Sequence, residues 1–195
     1  MPRRLAILLS GRGSNFEAIA DAVTDARIPD SVIVAVISDV PGALGLQRAK
    51  ERGLPVFAVD RREFASRREH ERAIERILDA ARPSVICLAG YMRLLSPEFV
   101  GRYRGRILNI HPALLPRFPG LDAQRQALEA GEPISGCTVH YVDEGTDTGP
   151  PILQRRVPIL PEDTVESLSA RILEQEHIAY PEAIALVLTK LPTDT

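Results

Sequence analysis

Cysteine is scarce: Cys87 and Cys137 are the only two among 195 residues. Two cysteines make no zinc-binding spacing. Both lie in apolar stretches, "SVICLAG" and "SGCTVHYV", and read as small buried strand residues. A disulfide or a catalytic thiol is the weaker reading, and the usage fits a reducing cytoplasm. No apolar run approaches the ~20 residues a membrane span needs. The amino terminus, "MPRRLAILLSGRGSN", imitates a signal peptide for six residues before "SGRGSN" breaks it. A net charge of -2 gives no electrostatic case for nucleic acid or an anionic membrane. Any anionic ligand must then be caught by local geometry. The four histidines show no metal-ligand spacing, so no metal is expected. A Gly-Lys-Ser/Thr phosphate loop, a nucleophile elbow for a serine triad, internal repeats, linkers and low-complexity segments are also missing.

What is present is an ordinary globular composition, 45% hydrophobic and 26% charged, in a length that suits one domain over residues 1–195. Nearly continuous apolar runs at 4–10, 32–39, 55–60, 84–90 and 106–111 read as strands covered on both faces. Helix candidates at about 14–27, 43–53 and 66–82 alternate with them. The rhythm predicts a Rossmann-like α/β fold, an open and mostly parallel sheet flanked by helices. The half beyond about residue 100 differs. A Pro/Gly-rich loop (112–121) and a short helix (122–130) precede two strands, 135–143 and 151–159, paired as an antiparallel hairpin. A long helix begins near Asp163, with Asp163 and Glu166 as its capping box and Pro181 kinking or dividing it near Tyr180. The Arg/Glu-rich stretch 61–77 reads as a solvated helix laced by Arg67/Glu71 and Glu69/Arg72 pairs.

Two segments carry chemistry. "LLSGRGSNFEAI" turns from strand to helix through Gly11 and Gly13, so the first helical N–H groups and the helix dipole face the loop. That is a phosphate site in the making. Phe16 replaces the third glycine of a dinucleotide fingerprint, and Ser14 with Glu17 also reads as a plain capping box. The second segment is "RILNIHPALLP". Asn109 and His111 are two residues apart on a strand, so they project to one face. Pro112 then discourages further pairing. An amide donor beside an imidazole suits attack on a carbonyl, one stabilising an oxyanion and the other moving a proton. The later loop offers Asp143, Glu144 and Asp147 as carboxylates for the imidazole, and spacing does not choose among them. His70 and His177 look exposed or helical, and His140 fits either sheet face.

Taken in order, "LLSGRGSNFEAI", "AGYMRLLSPEFV", "RILNIHPALLPRFPG", "GCTVHYVDEGTDTGPPILQ" and "EQEHIAYP" closely resemble the phosphoribosylglycinamide formyltransferases of the folate formyltransferase superfamily. The resemblance implies a formyl transfer from 10-formyltetrahydrofolate to the amine of 5-phosphoribosylglycinamide, in purine biosynthesis, without a metal. It implies an amino-terminal phosphate-binding half, about 1–100, and a folate-binding and catalytic half, about 101–195. Gly13, Ser14, Asn15 and Glu176 would hold the phosphorylated substrate. Arg67, Met92, Arg93, Leu94, Leu95, Asn109, Asp143 and Asp147 would meet the folate. Asn109, His111 and Asp147 would be catalytic: amide and imidazolium on the oxyanion, carboxylate on the imidazolium. The partners implied are these small molecules, with a homodimer compatible. One departure stands out: Asp122 and Gln124 follow "FPG" where the family commonly carries histidines. The rivals are a formyltetrahydrofolate hydrolase, a methionyl-tRNA formyltransferase, a dinucleotide-binding oxidoreductase and a non-catalytic α/β module that binds a phosphorylated ligand.

Overall fold

The computed structural model describes residues 1–191. Its strands are β1 (Arg3–Leu9), β2 (Ser31–Ser38), β3 (Val56–Ala58), β4 (Val85–Leu88), β5 (Ile107–His111), β6 (Ile134–Tyr141) and β7 (Pro151–Pro158). Its helices are α1 (Ser14–Thr24), α2 (Leu44–Glu51), α3 (Arg67–Ala81), α4 (Pro97–Arg102), α5 (Ala123–Glu129) and α6 (Val165–Lys190). They form the expected fold. One seven-stranded sheet runs in the order β3-β2-β1-β4-β5-β6-β7. The first five strands pair in parallel, and β5, β6 and β7 pair antiparallel.

The apolar runs explain the layering. Leu5 to Leu9 are fully buried without a break. Alternate residues therefore feed two separate cores. Leu5, Ile7 and Leu9 pack with Phe16, Ile19, Leu46, Ile172 and Tyr180 from α1, α2 and α6. Ala6 and Leu8 pack with Ile74, Leu78 and Phe99 from α3 and α4. Strand order reverses between β1 and β4, which opens a crevice at their carboxyl ends. Cys87 and Cys137 are both buried, unpaired strand residues, and burial pushes both thiols up.

Several local expectations are corrected. Pro181 does not divide α6, which runs unbroken to Lys190. Ala179, Tyr180, Pro181, Ala183 and Ile184 are buried, and the Tyr180 hydroxyl reaches the Leu88 and Leu108 carbonyls at 3.0 and 2.9 Å. Packing outweighs the one amide hydrogen bond that proline withholds. The capping box of α6 is Thr164 with Ser167, one residue beyond the expected pair. Asp163 instead accepts from Leu160 N, Ser167 Oγ and Arg171. Ser14 and Glu17 form no box at α1, whose cap is Gly13 without a side-chain hydrogen bond; Glu17 pairs with Arg48 on α2. In α3 the expected Arg67/Glu71 and Glu69/Arg72 pairs give way to others. Glu71 is buried and accepts from the Ser96 amide and hydroxyl, and Glu75 pairs with Arg68. His70 is helical but buried, its Nε2 on the Val59 carbonyl at 2.9 Å. Helix α4 was not expected, although Ser96 as cap and Pro97 at the first turn are a start signal.

Candidate active site

Every segment singled out for chemistry lies at or beyond the carboxyl end of β1, β4 or β5, or in the β6–β7 connection, except Arg67 and Glu176, which are on α3 and α6. The loop after β1 is shaped by two glycines that touch. Gly13 has φ +78°, and a Cβ there would lie 2.6 Å from the Gly45 Cα. Gly45 N donates to the Gly11 carbonyl at 3.0 Å, so α2 braces the loop from behind. No side chain caps α1, which leaves its first N–H groups available to a ligand. Gly45 was missed in the sequence because a glycine inside a helical pattern reads only as a weak helix former. Replacing Gly13 by Ala adds about 1–2 kcal/mol of left-handed strain and a backbone collision. Calorimetry should show the Tm falling by several degrees, and any phosphorylated ligand should bind several-fold more weakly. An unchanged Tm would mean that the Gly13–Gly45 contact does not shape this loop.

Asn15 and Glu176 form the wall of the same loop. Both are buried, and Asn15 Nδ2 donates to Glu176 Oε2 at 2.7 Å. Burial pushes the Glu176 carboxyl up, with the Asn15 hydrogen bond working against it. Asn15 Oδ1 is buried and has no hydrogen-bond partner among the described residues. An orphaned acceptor there is expensive unless a ligand supplies a donor.

The segment after β4 is fixed by a polar strut. Ser10 Oγ donates to Asp39 Oδ1 at 2.6 Å and accepts from Met92 N at 2.9 Å. Arg93 Nε donates to Asp39 Oδ2 at 3.0 Å. Both oxygens of Asp39 are thus engaged within the protein. Met92 and Leu94 are 70% and 66% exposed, with Leu95 half-buried, so this rim offers apolar surface to a ligand. Arg67 opens α3 as an exposed residue and makes no hydrogen bond to this segment.

Three of the candidate residues converge closely. His111 Nδ1 lies 3.2 Å from Asp147 Oδ2. His111 Nε2 lies 2.8 Å from the Phe118 carbonyl, and Gly120 N donates to Asp147 Oδ2 at 2.9 Å. Asn109 Nδ2 lies 3.4 Å from Asp147 Oδ1 and 3.3 Å from His140 Nε2. Asp147 has φ 54°, a left-handed conformation rare for a side-chain-bearing residue. Burial pushes its carboxyl up, but the adjoining His140 ring, the Gly120 amide and His111 outweigh it and hold the carboxyl below the usual range. The other two acids face elsewhere: Asp143 Oδ1 accepts from Gly145 N and Thr148 Oγ1, and Glu144 pairs with Arg104 at 3.1 Å. A cleft of about 690 Å³ opens beside them, lined in part by Val100, Arg104, Tyr141, Val142 and Asp143. His140, the Phe118 carbonyl and the Gly120 amide belong to this cluster without having been identified from sequence. Asp122 occupies the N-cap position of α5 without a side-chain hydrogen bond, and Gln124 lies within the helix, half-buried. Among the described residues, no group of three or more His, Cys, Asp or Glu could hold a metal ion, and no helix is long and apolar enough to cross a membrane.

Known proteins are similar to this chain along most of its length. The chain is 53% identical over 187 residues to the trifunctional purine biosynthetic protein adenosine-3 of Drosophila melanogaster, covering 95% of this chain but only 14% of that protein's length. It is 44% identical to phosphoribosylglycinamide formyltransferase of Escherichia coli, covering 93% of this chain and 85% of the relative. The crystal structure of phosphoribosylglycinamide formyltransferase from Brucella melitensis superposes with a TM-score of 0.92 at 46% identity, covering all of both chains. Residues 3–184 match the formyl transferase family model, a span that takes in the Gly13 loop, the Asn109–His111–Asp147 cluster and Glu176. The chain belongs to the formyl transferase family.

Proposed function

We propose that the chain transfers the formyl group of 10-formyltetrahydrofolate to the amine of 5-phosphoribosylglycinamide, a cytoplasmic step of purine biosynthesis. The observation that carries this reading is the gathering of Asn109, His111 and Asp147 at the same sheet edge as an uncapped, glycine-shaped anion loop. The phosphate sits on the amides of Gly13, Ser14 and Asn15, where the α1 dipole complements a charge of about -1.5 to -2. Substrate hydroxyls supply the donor that Asn15 Oδ1 lacks. The folate lies along Met92–Leu95 and into the cleft beside Asp143, with Arg67 on its anionic tail.

The amine nitrogen attacks the formyl carbon, and a C–N bond forms as the carbonyl oxygen becomes anionic. His111 Nε2 exchanges the Phe118 carbonyl for that oxygen. Asn109 turns one Nδ2 hydrogen to it from the long 3.4 Å contact with Asp147. The attacking nitrogen loses a proton, the folate nitrogen gains one, and the bond between that nitrogen and the formyl carbon breaks. Asp147 balances the imidazolium throughout. Holding both reactants in one crevice supplies orientation that the free bimolecular reaction lacks.

The test mixes purified protein, formyl-folate and ribosylglycinamide phosphate, and follows folate absorbance. Turnover should require the phosphorylated acceptor, and free glycine should give none. Tight binding of both compounds without turnover would instead favour a non-catalytic binding module, and folate loss without an acceptor would favour a hydrolase.

A further inference from the structure

Asn109 on β5 and His140 on β6 are directly opposed in the antiparallel ladder, so their side chains leave the same sheet face. Asn109 Nδ2 lies 3.3 Å from His140 Nε2. The other ring nitrogen, Nδ1, lies 2.8 Å from the Tyr141 carbonyl. A carbonyl only accepts, so Nδ1 carries a proton. Two states of Nε2 are then open. As a lone pair it accepts from the Asn109 amide. As an N–H it would point at Asp147 Oδ1, 3.5 Å away, and Asn109 would have to turn its oxygen toward it.

Charge decides between them. Among the described residues, Asp147 is the one carboxylate in contact with either imidazole, and its Oδ2 already faces His111 Nδ1. Both rings of His111 and His140 are buried. Asp143 and Glu144, the nearest acids in the loop, are held by Thr148 and Arg104. A second imidazolium would leave a buried positive charge without a partner, which costs more than a neutral ring accepting a hydrogen bond.

We propose that His140 is a positioning residue: a neutral Nδ1–H ring whose Nε2 accepts from Asn109 and so keeps the nitrogen edge of that amide, not its oxygen, toward the formyl oxygen. Without this acceptor only the long 3.4 Å contact with Asp147 holds the nitrogen edge, and once that hydrogen turns to the formyl oxygen the amide can turn over and present its own oxygen to the developing negative charge. The kinetic part of this inference rests on the proposed formyl transfer, whereas the ring's protonation pattern does not.

Two amide replacements separate the roles. The terminal amide of glutamine reaches the position of Nε2, whereas that of asparagine reaches only Nδ1. His140→Gln should keep kcat within about threefold, because an acceptor still faces Asn109. His140→Asn should lose kcat by about tenfold or more, the worth of one net hydrogen bond, with KM for both substrates within about threefold. A purely structural role would give the opposite order, since asparagine retains the bond to the Tyr141 carbonyl. Nitrogen-15 spectra of the wild-type protein near neutral pH should show His140 Nδ1 protonated and Nε2 bare. A doubly protonated His140, or an Asn variant as fast as wild type, overturns the proposal. Wild-type protein that transfers no formyl group would sink the proposed function instead, and the spectra would still decide the state of His140.

Discussion

Asp147→Asn should lower kcat by about 10³–10⁴-fold, the scale seen when a carboxylate that orients a catalytic imidazole is made neutral. The substitution keeps size and shape, but an amide can offer His111 Nδ1 either an oxygen or an N–H, and it carries no charge to balance an imidazolium. With its oxygen at the Oδ2 position the amide can still accept from His111 and the Gly120 amide, but its NH2 then takes the Oδ1 position and opposes the Asn109 donor. KM for the phosphorylated substrate should change far less, because Asp147 contacts the imidazoles and Asn109 rather than the anion loop. A pH profile adds a sign. The folded-state carboxyl is held below the usual range, so its ionised form, and the stability that goes with it, is fully present above the ordinary carboxylate value. Both are lost as pH falls through the lower folded value. The wild type should lose this contribution only in that acid window, and Asp147→Asn should show no acid limb from it. A kcat within tenfold of wild type would remove Asp147 from the chemistry.

That acid was the hardest part of the site to read in the sequence. The apolar runs of β1, β2, β4 and β5 announce themselves because strands covered on both faces have no polar side to show. The pair Asn109 and His111 is legible because alternation in a strand puts both on one face. Asp143, Glu144 and Asp147 sit in a loop, where no period relates sequence to direction. Only the left-handed backbone at Asp147 and the Gly120 amide select the one that meets His111, and the family resemblance, not the spacing, pointed to it. His140 was ambiguous for a related reason. The β6–β7 register shifts between Val139 and His140, so the alternation that would assign a face is interrupted on that side. The misplaced capping boxes share another cause. Adjacent residues at Asp163–Thr164 and Gly13–Ser14 can each take the cap position, and arginines beyond the first helical turn, Arg171 and Arg48, draw the acids away.

Glu176→Gln should stabilise the protein while weakening its grip on the phosphorylated substrate by about 10–100-fold in KM, the range for hydrogen bonds to charged groups. The opposing signs follow from one buried group. Burial raises the folded-state carboxyl of Glu176, so ionisation penalises the folded state as pH rises through and above the ordinary carboxylate value. Glutamine removes that penalty and can still accept from Asn15 Nδ2, the bond now 2.7 Å long. The Tm at neutral pH should therefore hold or rise, and the alkaline loss due to this group should disappear. The site pays in recognition. Glu176 Oε1 takes no hydrogen bond among the described residues and in the proposed complex is the acceptor for a substrate hydroxyl; in the glutamine variant that position becomes an N–H donor. kcat at saturation should stay within about threefold, since in the proposed reaction the reacting atoms lie at Asn109, His111 and Asp147. Glu176→Leu separates the two effects further, because it strands Asn15 with neither polar atom satisfied, so Tm and affinity should fall together. If Glu176→Gln instead destabilises the fold with KM unchanged, the carboxylate is an internal brace of α6 on α1 and has no part in holding the substrate.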